Sequence, residues 1–245
     1  MSVEKYAKEY LIRSYECDKH ENLRLLTLMN IFQDSADSHA DILGLGYDYC
    51  MEHGLAWVAA NYHVKITRAP KIHEKIKIQT WPSEEKKLGA IRDYIITDEN
   101  ENTLVCASTQ WVLINSETKR PQLLRANLPE YQVIPEKADS FEYTKLALPE
   151  NFNYSKEFTV RFDDIDVNNH VNNAVYALWM SEAVPNDFRN THKVTELEIA
   201  FKKEVLLGEQ IKIDTLVNGS KTFHRITSVG GGYEVAKAEL TWAEV

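Results

Sequence analysis

One short stretch of the chain concentrates side chains that suit acid–base chemistry. The segment RFDDIDVNNHVNN runs from Arg161 to Asn173 and places Asp166, Asn168 and His170 at alternate positions. A histidine ring can carry protons at neutral pH, and a carboxylate can orient that ring or activate a water molecule. An asparagine amide supplies an N–H donor for a carbonyl oxygen. These residue types in one segment predict a hydrolytic acid–base site.

The same segment also fits simpler interpretations. Asp and Asn side chains cap helices, and an apolar helical pattern follows from Val171. An EF-hand calcium loop needs Gly and Glu where Asn169 and Val175 stand. The sequence contains no HExxH, no paired CxxC and no G-x-S-x-G, so we expect neither a metal, nor a cofactor, nor a serine nucleophile. A pure helix cap therefore remains as the alternative to an active site.

The chain repeats itself, which provides an internal control. EKIKIQT, beginning at Glu74, matches EQIKIDT, beginning at Glu209, at an offset of 135 positions. YLIRSYECDKHENL, beginning at Tyr10, matches FTVRFDDIDVNNHV, beginning at Phe158, at an offset of 148 positions. The offset falls from 148 at the Tyr10 match to 135 at the Glu74 match further along the chain. The first half therefore has more residues between these two points, which predicts a longer helix and following loop there.

The two halves differ in the residues that can do chemistry. In the repeat register, the candidate residues of the second half fall on other types in the first: Asn168 on His20, His170 on Asn22 and Glu204 on Ala69. Only the second half combines a histidine at a helix start with a carboxylate on a predicted strand. This pattern predicts a duplicated domain in which one site survives.

Each half shows the same order of predicted elements. A strand is followed by an amphipathic helix, which Pro185 ends in the second half. Four β-branched and aromatic segments separated by turn residues come next. This order predicts an α+β fold in which each half is an antiparallel sheet curled around a helix.

The proline-rich stretch between the halves sets the predicted domain bounds. We expect an N-terminal domain over residues 1–128, a linker over 129–156 and a C-terminal domain over 157–245. The linker contains four apolar residues that would also suit an ordered strap across a sheet: Phe141, Tyr143, Leu146 and Leu148.

Composition narrows the class of protein and the partners. The net charge is −9 and no long Lys/Arg run is present, which disfavours nucleic acid. An odd count of three cysteines indicates free thiols in a reducing compartment. No apolar run reaches the roughly 18 residues of a membrane span, and the charged N-terminus has no signal core. We expect a cytoplasmic protein.

The motif Asp166-x-Asn168-x-His170-V-N-N, with Glu204 further along in LEIAFKKE, resembles the acyl-acyl-carrier-protein thioesterases of plants and bacteria. The resemblance covers nearly the whole chain. It implies a tandem (double) hotdog fold with the catalytic site in the second half. It also implies hydrolysis of the thioester that joins a fatty acyl chain to the carrier's phosphopantetheine arm, which releases a free fatty acid and ends fatty acid synthesis.

The resemblance assigns catalysis to four residues: Asp166, Asn168, His170 and Glu204. Plant members carry a cysteine directly after the matched glutamate, whereas this sequence has Val205. That difference favours water over a thiol as the nucleophile. Cys17 and Cys106 are interpreted as structural thiols.

The resemblance also implies where the substrate binds. The acyl tail would lie in a tunnel beside the first helix, with Leu28, Phe32 and Trp57 as candidate walls. Lys202 and Lys203 are candidates for a basic patch that receives the acidic carrier protein. The competing interpretations are ordinary core packing for the walls and a solvated strand end for the lysines.

Other functions of the same fold remain open at this point. An acyl-CoA thioesterase would share the fold and the chemistry, and a hotdog dehydratase would also use a histidine and a carboxylate. A non-catalytic acyl-binding protein would usually carry a DNA-binding module, which the sequence lacks. The sequence leaves open the acyl chain length, the branching of the substrate and the oligomeric state, with a homodimer among the options.

Overall fold

The structure is a computed structural model that describes residues 4–143 and 145–245. It divides into two compact units, one ending at Phe141 and the other beginning at Glu142. Each unit contains a five-stranded antiparallel sheet and one principal helix. The α+β class expected from the sequence is confirmed.

The N-terminal unit begins with strand β1 and a short 3-10 turn over Ser14–Glu16. Its strands are β1 (Tyr6–Leu11), β2 (Leu55–Ile66), β3 (Lys75–Glu85), β4 (Gly89–Asp98) and β5 (Thr103–Asn115). Its helices are α1 (Leu25–Ile42), α2 (Tyr47–Glu52) and α3 (Leu124–Asn127). The strands lie in the order β1-β3-β4-β5-β2.

The C-terminal unit repeats this plan in fewer residues. Its strands are β6 (Tyr154–Thr159), β7 (His192–Phe201), β8 (Gln210–Asn218), β9 (Lys221–Ser228) and β10 (Glu234–Glu244). A 3-10 turn covers Phe162–Asp164, and the helices are α4 (Asn173–Ala183) and α5 (Asn186–Thr191). The strands lie in the order β7-β10-β9-β8-β6.

Each principal helix packs on the sheet of its own unit. Helix α1 contacts β3 and β1, and α4 contacts β8 and β6. The KIKI segments alternate, so that Ile76 and Ile78 are buried in β3 and Ile211 and Ile213 are buried in β8. The alternation read from the sequence therefore produces one apolar face per sheet, which the helix covers.

Several elements differ from the sequence predictions. Helices α2, α3 and α5 were not expected, and α5 begins directly after Pro185, the residue that ends the preceding helical stretch. Strand β6 begins at Tyr154, inside the predicted linker. Strand β7 ends at Phe201, so Glu204 lies beyond the strand rather than on it, which corrects that expectation.

The proline-rich connection is hydrogen-bonded to the N-terminal unit, which ends at Phe141. The Ile134 amide donates to the Pro82 carbonyl over 2.9 Å, and the Ala138 amide donates to the Asp93 carboxylate over 2.9 Å. The Trp81 indole N–H donates to the carbonyl of Glu136 over 2.8 Å. These contacts make residues 134–138 an ordered strap on that unit.

In the C-terminal core, both ring nitrogens of the buried His224 lie within hydrogen-bond distance of threonine hydroxyls. The Nδ1 of His224 lies 3.0 Å from Thr215 Oγ1 and its Nε2 lies 2.8 Å from Thr222 Oγ1, which also accepts from the Trp242 indole. The ring is fully buried. Burial lowers the pKa of His224 to about 3, so the ring is neutral in the folded protein at neutral pH.

We predict that acidification destabilises the fold through this histidine. The pKa of His224 lies below its ordinary value of 6.5 in the folded state, so the unfolded chain binds the extra proton first. The stability that the neutral ring contributes is present above about pH 6.5 and is lost as the pH falls toward about 3. Thermal unfolding of wild type and His224→Asn across this window tests it. Equal pH slopes for the two proteins would contradict the assignment.

Candidate functional site

The structure brings two of the predicted residues into direct contact. His170 Nε2 lies 2.9 Å from Glu204 Oε2. Their side chains are 27% and 47% exposed, so solvent water reaches both groups. The histidine lies just before α4 and the glutamate lies in the loop between β7 and β8. A proton can therefore pass between an imidazole and a carboxylate that share access to water.

The third predicted residue, Asp166, acts on the backbone of the loop. Its carboxylate accepts the Asn168 amide over 2.8 Å, and its own amide donates to the His170 carbonyl over 2.9 Å. Asn169 closes this tight loop with a φ of +61°, in the left-handed region that Asn tolerates better than most residues. Asp166 thus fixes the path of the chain on which Asn168 and His170 are carried.

A second set of contacts holds Glu204 beside this loop. The Val171 amide donates to the Val205 carbonyl over 3.0 Å. Both valine side chains are buried, Val205 completely. Since Glu204 precedes Val205 and His170 precedes Val171, this one hydrogen bond places the two side chains next to each other.

The base of the loop rests on a buried carboxylate, Asp164. This residue is 2% exposed and accepts the Arg161 amide over 2.8 Å and the Arg161 Nη2 over 2.7 Å. Its carbonyl accepts the Asn172 amide over 2.9 Å. The aspartate-rich start of the motif is therefore structural, because charge-assisted bonds at Asp164 hold the turn that leads into the site.

Asn172 is the N-cap of α4, and it uses one of the helix amides. Its side-chain oxygen accepts the Ala174 amide over 2.8 Å, and its carbonyl accepts the Val175 amide over 2.9 Å. Two of the first free amides of the helix are therefore already engaged. The Asn168 side chain is exposed, so its amide donors face solvent.

The N-terminal unit contains the same backbone scaffold without the same side chains. The Asp18 amide donates to the Asn22 carbonyl over 2.8 Å, the Asp18 carboxylate accepts the His20 amide over 2.8 Å, and the Leu23 amide donates to the Pro70 carbonyl over 2.8 Å. Each bond matches one around Asp166 at the offsets of 148 and 135 positions read from the sequence.

The two lysines proposed as a carrier patch are exposed and already have partners in their own unit. Lys202 Nζ lies 2.5 Å from Glu234 Oε1. Lys203 Nζ lies 4.0 Å from the centre of the Tyr233 ring. Both lysines directly precede Glu204 in the chain. Their positive charge is partly offset by Glu234.

The candidate tunnel residues separate into two groups. Leu28 and Phe32 belong to α1 and are buried in the core, where the Phe32 ring packs against Tyr94 with centroids 4.9 Å apart. Trp57 lines a pocket of about 60 Å³ beside α1, whereas Leu28 and Phe32 do not line it. The Trp57 indole N–H donates to the Leu45 carbonyl over 3.3 Å.

Sequence reasoning did not single out Tyr176, which lies in α4 close to the site. Its ring is 3% exposed and packs against Phe201 with centroids 5.3 Å apart. Burial, followed by the nearby carboxylates of Glu209 and Glu204, raises the pKa of Tyr176 well above its usual range. The repeat could have indicated this residue, because the polar Tyr176 stands where the first half has the apolar Leu28, at the offset of 148 positions.

The three cysteines are free and belong to the N-terminal unit, whereas the His170–Glu204 pair belongs to the C-terminal unit. Burial raises the pKa of all three thiols, to about 11 for Cys50. Low thiolate content makes them poor nucleophiles. Over residues 4–143 and 145–245, no cluster of His, Cys, Asp and Glu is arranged to hold a metal ion.

The two repeated units are those of one family. The chain belongs to the acyl-ACP thioesterase family: the family's N-terminal domain matches residues 3–130, and its C-terminal domain matches residues 149–244. The resemblance seen in the sequence is confirmed.

Named relatives are distant but extend along the chain. An acyl-[acyl-carrier-protein] hydrolase of Cuphea viscosissima is 28% identical over 255 residues, covering 97% of this chain and 62% of its own length. An oleoyl-acyl carrier protein thioesterase of Arabidopsis thaliana is 25% identical over 283 residues, covering 97% of this chain and 75% of its own. Both are named as chloroplastic. The present chain thus spans less than two thirds of the Cuphea protein.

Solved structures establish the tandem hotdog fold. The 12:0-ACP thioesterase of Umbellularia californica superposes with a TM-score of 0.85 at 23% identity, covering 100% of both chains. A putative oleoyl thioesterase of Lactobacillus plantarum gives a TM-score of 0.83 at 24% identity, covering 99% of this chain and 97% of its own. Within the described residues, no helix is both long and apolar enough to cross a membrane.

We predict that Asn172→Ala lowers the free energy of unfolding by about 1 kcal/mol, because it removes the cap on Ala174. Denaturant unfolding measures the change. Arg24→Ala is the matched control, since Arg24 is the N-cap of α1 in the other unit and makes no side-chain cap. An equal loss in both variants would show that the cap does not contribute the difference.

Proposed function

We propose that this protein hydrolyses the thioester of a fatty acyl chain carried by an acyl carrier protein and releases the free fatty acid. The observation that carries the proposal is the 2.9 Å contact between His170 Nε2 and Glu204 Oε2. This pair occurs on a scaffold that the N-terminal unit repeats with Asn22 and Ala69 in the matching positions. Membership of the acyl-ACP thioesterase family supports the substrate class.

In the proposed mechanism a water molecule is the nucleophile. Glu204 and His170 together accept one of its protons as its oxygen bonds to the thioester carbon. The carbon–sulfur bond then breaks, and the proton returns to the departing thiolate. The products are a fatty acid and the free thiol of the phosphopantetheine arm. Solvent access to both side chains supports water in this role.

Asn168 is proposed to stabilise the oxygen that becomes negative during attack. Its exposed amide carries N–H donors, and the amides of Ala174 and Val175 are already engaged. Asp166 is proposed as a positioning residue rather than a reacting group. Its bonds to the Asn168 amide and from its own amide to His170 support that role.

A cysteine nucleophile does not enter this proposal. Val205 occupies the position after Glu204, and its buried side chain belongs to the core. The raised thiol pKa values of Cys17 and Cys106 also disfavour a thiolate at neutral pH. The free thiols agree with a reducing compartment, so a cytoplasmic location stays part of the proposal.

The pocket lined by Trp57 is proposed to receive the acyl chain. Its walls are largely apolar, as a hydrocarbon chain requires. Leu28 and Phe32 shape it only through the core behind α1, so their substitution would act through packing. Lys202 and Lys203 are proposed to attract the acidic carrier protein to the loop that contains Glu204.

We predict that His170→Asn and Glu204→Gln each lower the rate of acyl-carrier thioester hydrolysis by about a hundredfold or more. Each change removes a proton acceptor and keeps a side chain of similar size. Initial rates of fatty acid release measure the effect. Asn22→Ala, at the position of His170 in the other unit, is the matched control and should keep the wild-type rate. Near-wild-type activity of both site variants would refute the assignment.

We predict that the protein prefers the carrier-bound substrate over the CoA thioester of the same acyl chain. The double variant Lys202→Gln/Lys203→Gln should raise KM for the carrier substrate several-fold, because it removes attraction to an acidic partner. It should leave hydrolysis of acyl-pantetheine unchanged. Lys212→Gln on β8, which pairs with Asp214 at 2.9 Å, is the control. Equal preference for CoA would favour an acyl-CoA thioesterase.

A further inference from the structure

The pocket of the N-terminal unit contains a charged group that a plain hydrocarbon does not need. Its apolar wall includes Leu45, Trp57 and Trp111, yet Arg92 also lines it. Arg92 is 8% exposed and lies on β4. Burial of a guanidinium in apolar surroundings costs free energy unless its donors are satisfied.

Only part of this guanidinium is satisfied within the protein. Its Nη1 lies 2.9 Å from His39 Nδ1 and 3.4 Å from Thr80 Oγ1. Burial, and then the charge of Arg92, lowers the pKa of His39 to about 4. The imidazole is therefore neutral and accepts from Arg92. Both hydrogen bonds leave from Nη1, so donor capacity remains on Nη2 and Nε for an occupant of the pocket.

Two further polar side chains line the same pocket, Asp37 and Tyr131. The Tyr131 hydroxyl is buried near the Glu85 carboxylate, yet it closes no normal hydrogen bond to any described residue. Burial, and then the charge of Glu85, raises the pKa of Tyr131 to about 12, so the hydroxyl keeps its proton. The pocket thus presents an arginine and a protonated phenol as donors and one carboxylate as an acceptor.

We propose that this pocket selects acyl chains that carry a neutral oxygen, a hydroxyl or an oxo group, toward the end remote from the thioester, and that Arg92 recognises this oxygen. The inference rests on the proposed function and deepens it by naming the substrate class. This pocket is the one proposed above to receive the acyl chain, so the oxygen is assigned to the part of that chain remote from the thioester.

The set of polar groups favours a neutral oxygen over a charged one. A hydroxyl accepts a hydrogen bond from Arg92 or Tyr131 and can donate one to Asp37, so one group satisfies both the donors and the acceptor of the pocket. A terminal carboxylate would meet the Asp37 carboxylate, and like charges in a low-dielectric pocket repel. A plain methyl end would offer no acceptor to the remaining arginine donors.

The test measures binding, not turnover, so that it does not depend on the catalytic assignment. The ligands are pantetheine derivatives in which an amide replaces the thioester, carrying octanoyl, dodecanoyl or hexadecanoyl chains. Each chain is prepared with a terminal methyl, a terminal hydroxyl and a terminal carboxylate. Calorimetry on the full chain gives the dissociation constants. We expect the hydroxyl form of the best-fitting chain length to bind about tenfold more tightly than the methyl form.

Variants test which residues produce the preference for the hydroxyl form over the methyl form. Arg92→Met should abolish the preference and leave binding of the methyl form equal or tighter. Tyr131→Phe, which breaks no normal hydrogen bond, should reduce the preference in a protein that still folds. Arg120→Met, an exposed arginine of the same unit that does not line the pocket, is the matched control and should retain the wild-type preference.

The outcomes separate this inference from the proposed function. Tighter binding of the methyl form by wild type at every length would overturn the selection of oxygenated chains. Tightest binding of the carboxylate form would overturn the neutral-oxygen assignment. A retained preference in Arg92→Met would overturn the role of Arg92. Absence of acyl-carrier thioester hydrolysis by the wild type, with the expected binding preference intact, would instead count against the catalytic proposal alone.

Discussion

The hydrogen bond from the Val171 amide to the Val205 carbonyl is the contact on which the site depends. It joins the loop before α4 to the segment after β7 at 3.0 Å. The residues just before each partner are His170 and Glu204, so this backbone contact brings together the two residues whose side chains lie 2.9 Å apart. Exposed ion pairs contribute little stability by themselves. A buried backbone bond between two core valines is therefore the more plausible source of the geometry.

The repeat shows that this scaffold is independent of the chemistry it carries. The N-terminal unit keeps the equivalent bond, from Leu23 to Pro70, and keeps an aspartate, Asp18, that binds the backbone of its loop. Left-handed residues recur as well, with Glu21 at +64° in the position of Asn169. Asp18 and Asp166 share these bonds although their units differ in the other side chains. This shared pattern accounts for the aspartate as a structural requirement of the loop.

Much of this arrangement was predictable, because it depends on local pattern. The alternating KIKI segments, the helix after the asparagine-rich motif and the offsets of 148 and 135 positions are all visible in the sequence. The position of Glu204 beyond β7 was not predictable, because the last pair of β7 with β10, Phe201 with Ala236, depends on the partner strand and not on the local sequence. The short helices α2, α3 and α5 lack the length that makes periodicity readable. The sequence named Trp57 as a candidate wall but not Arg92, because Ala36, Trp57 and Arg92 are brought together by packing between elements distant in the chain.

The contrast between the two sheets explains why Arg92 requires a functional account. In the N-terminal sheet Arg92 pairs with Pro82 of β3, and in the C-terminal sheet Thr222 pairs with Val217 of β8, 135 positions after Pro82. Thr222 is fully buried and its hydroxyl is bonded to His224 and Trp242, so that position is closed by neutral groups. The fold therefore does not demand a cation there. The Asp37 carboxylate attracts the Arg92 charge within the same pocket, and the donors that remain on Nη2 and Nε are explained by what enters the pocket.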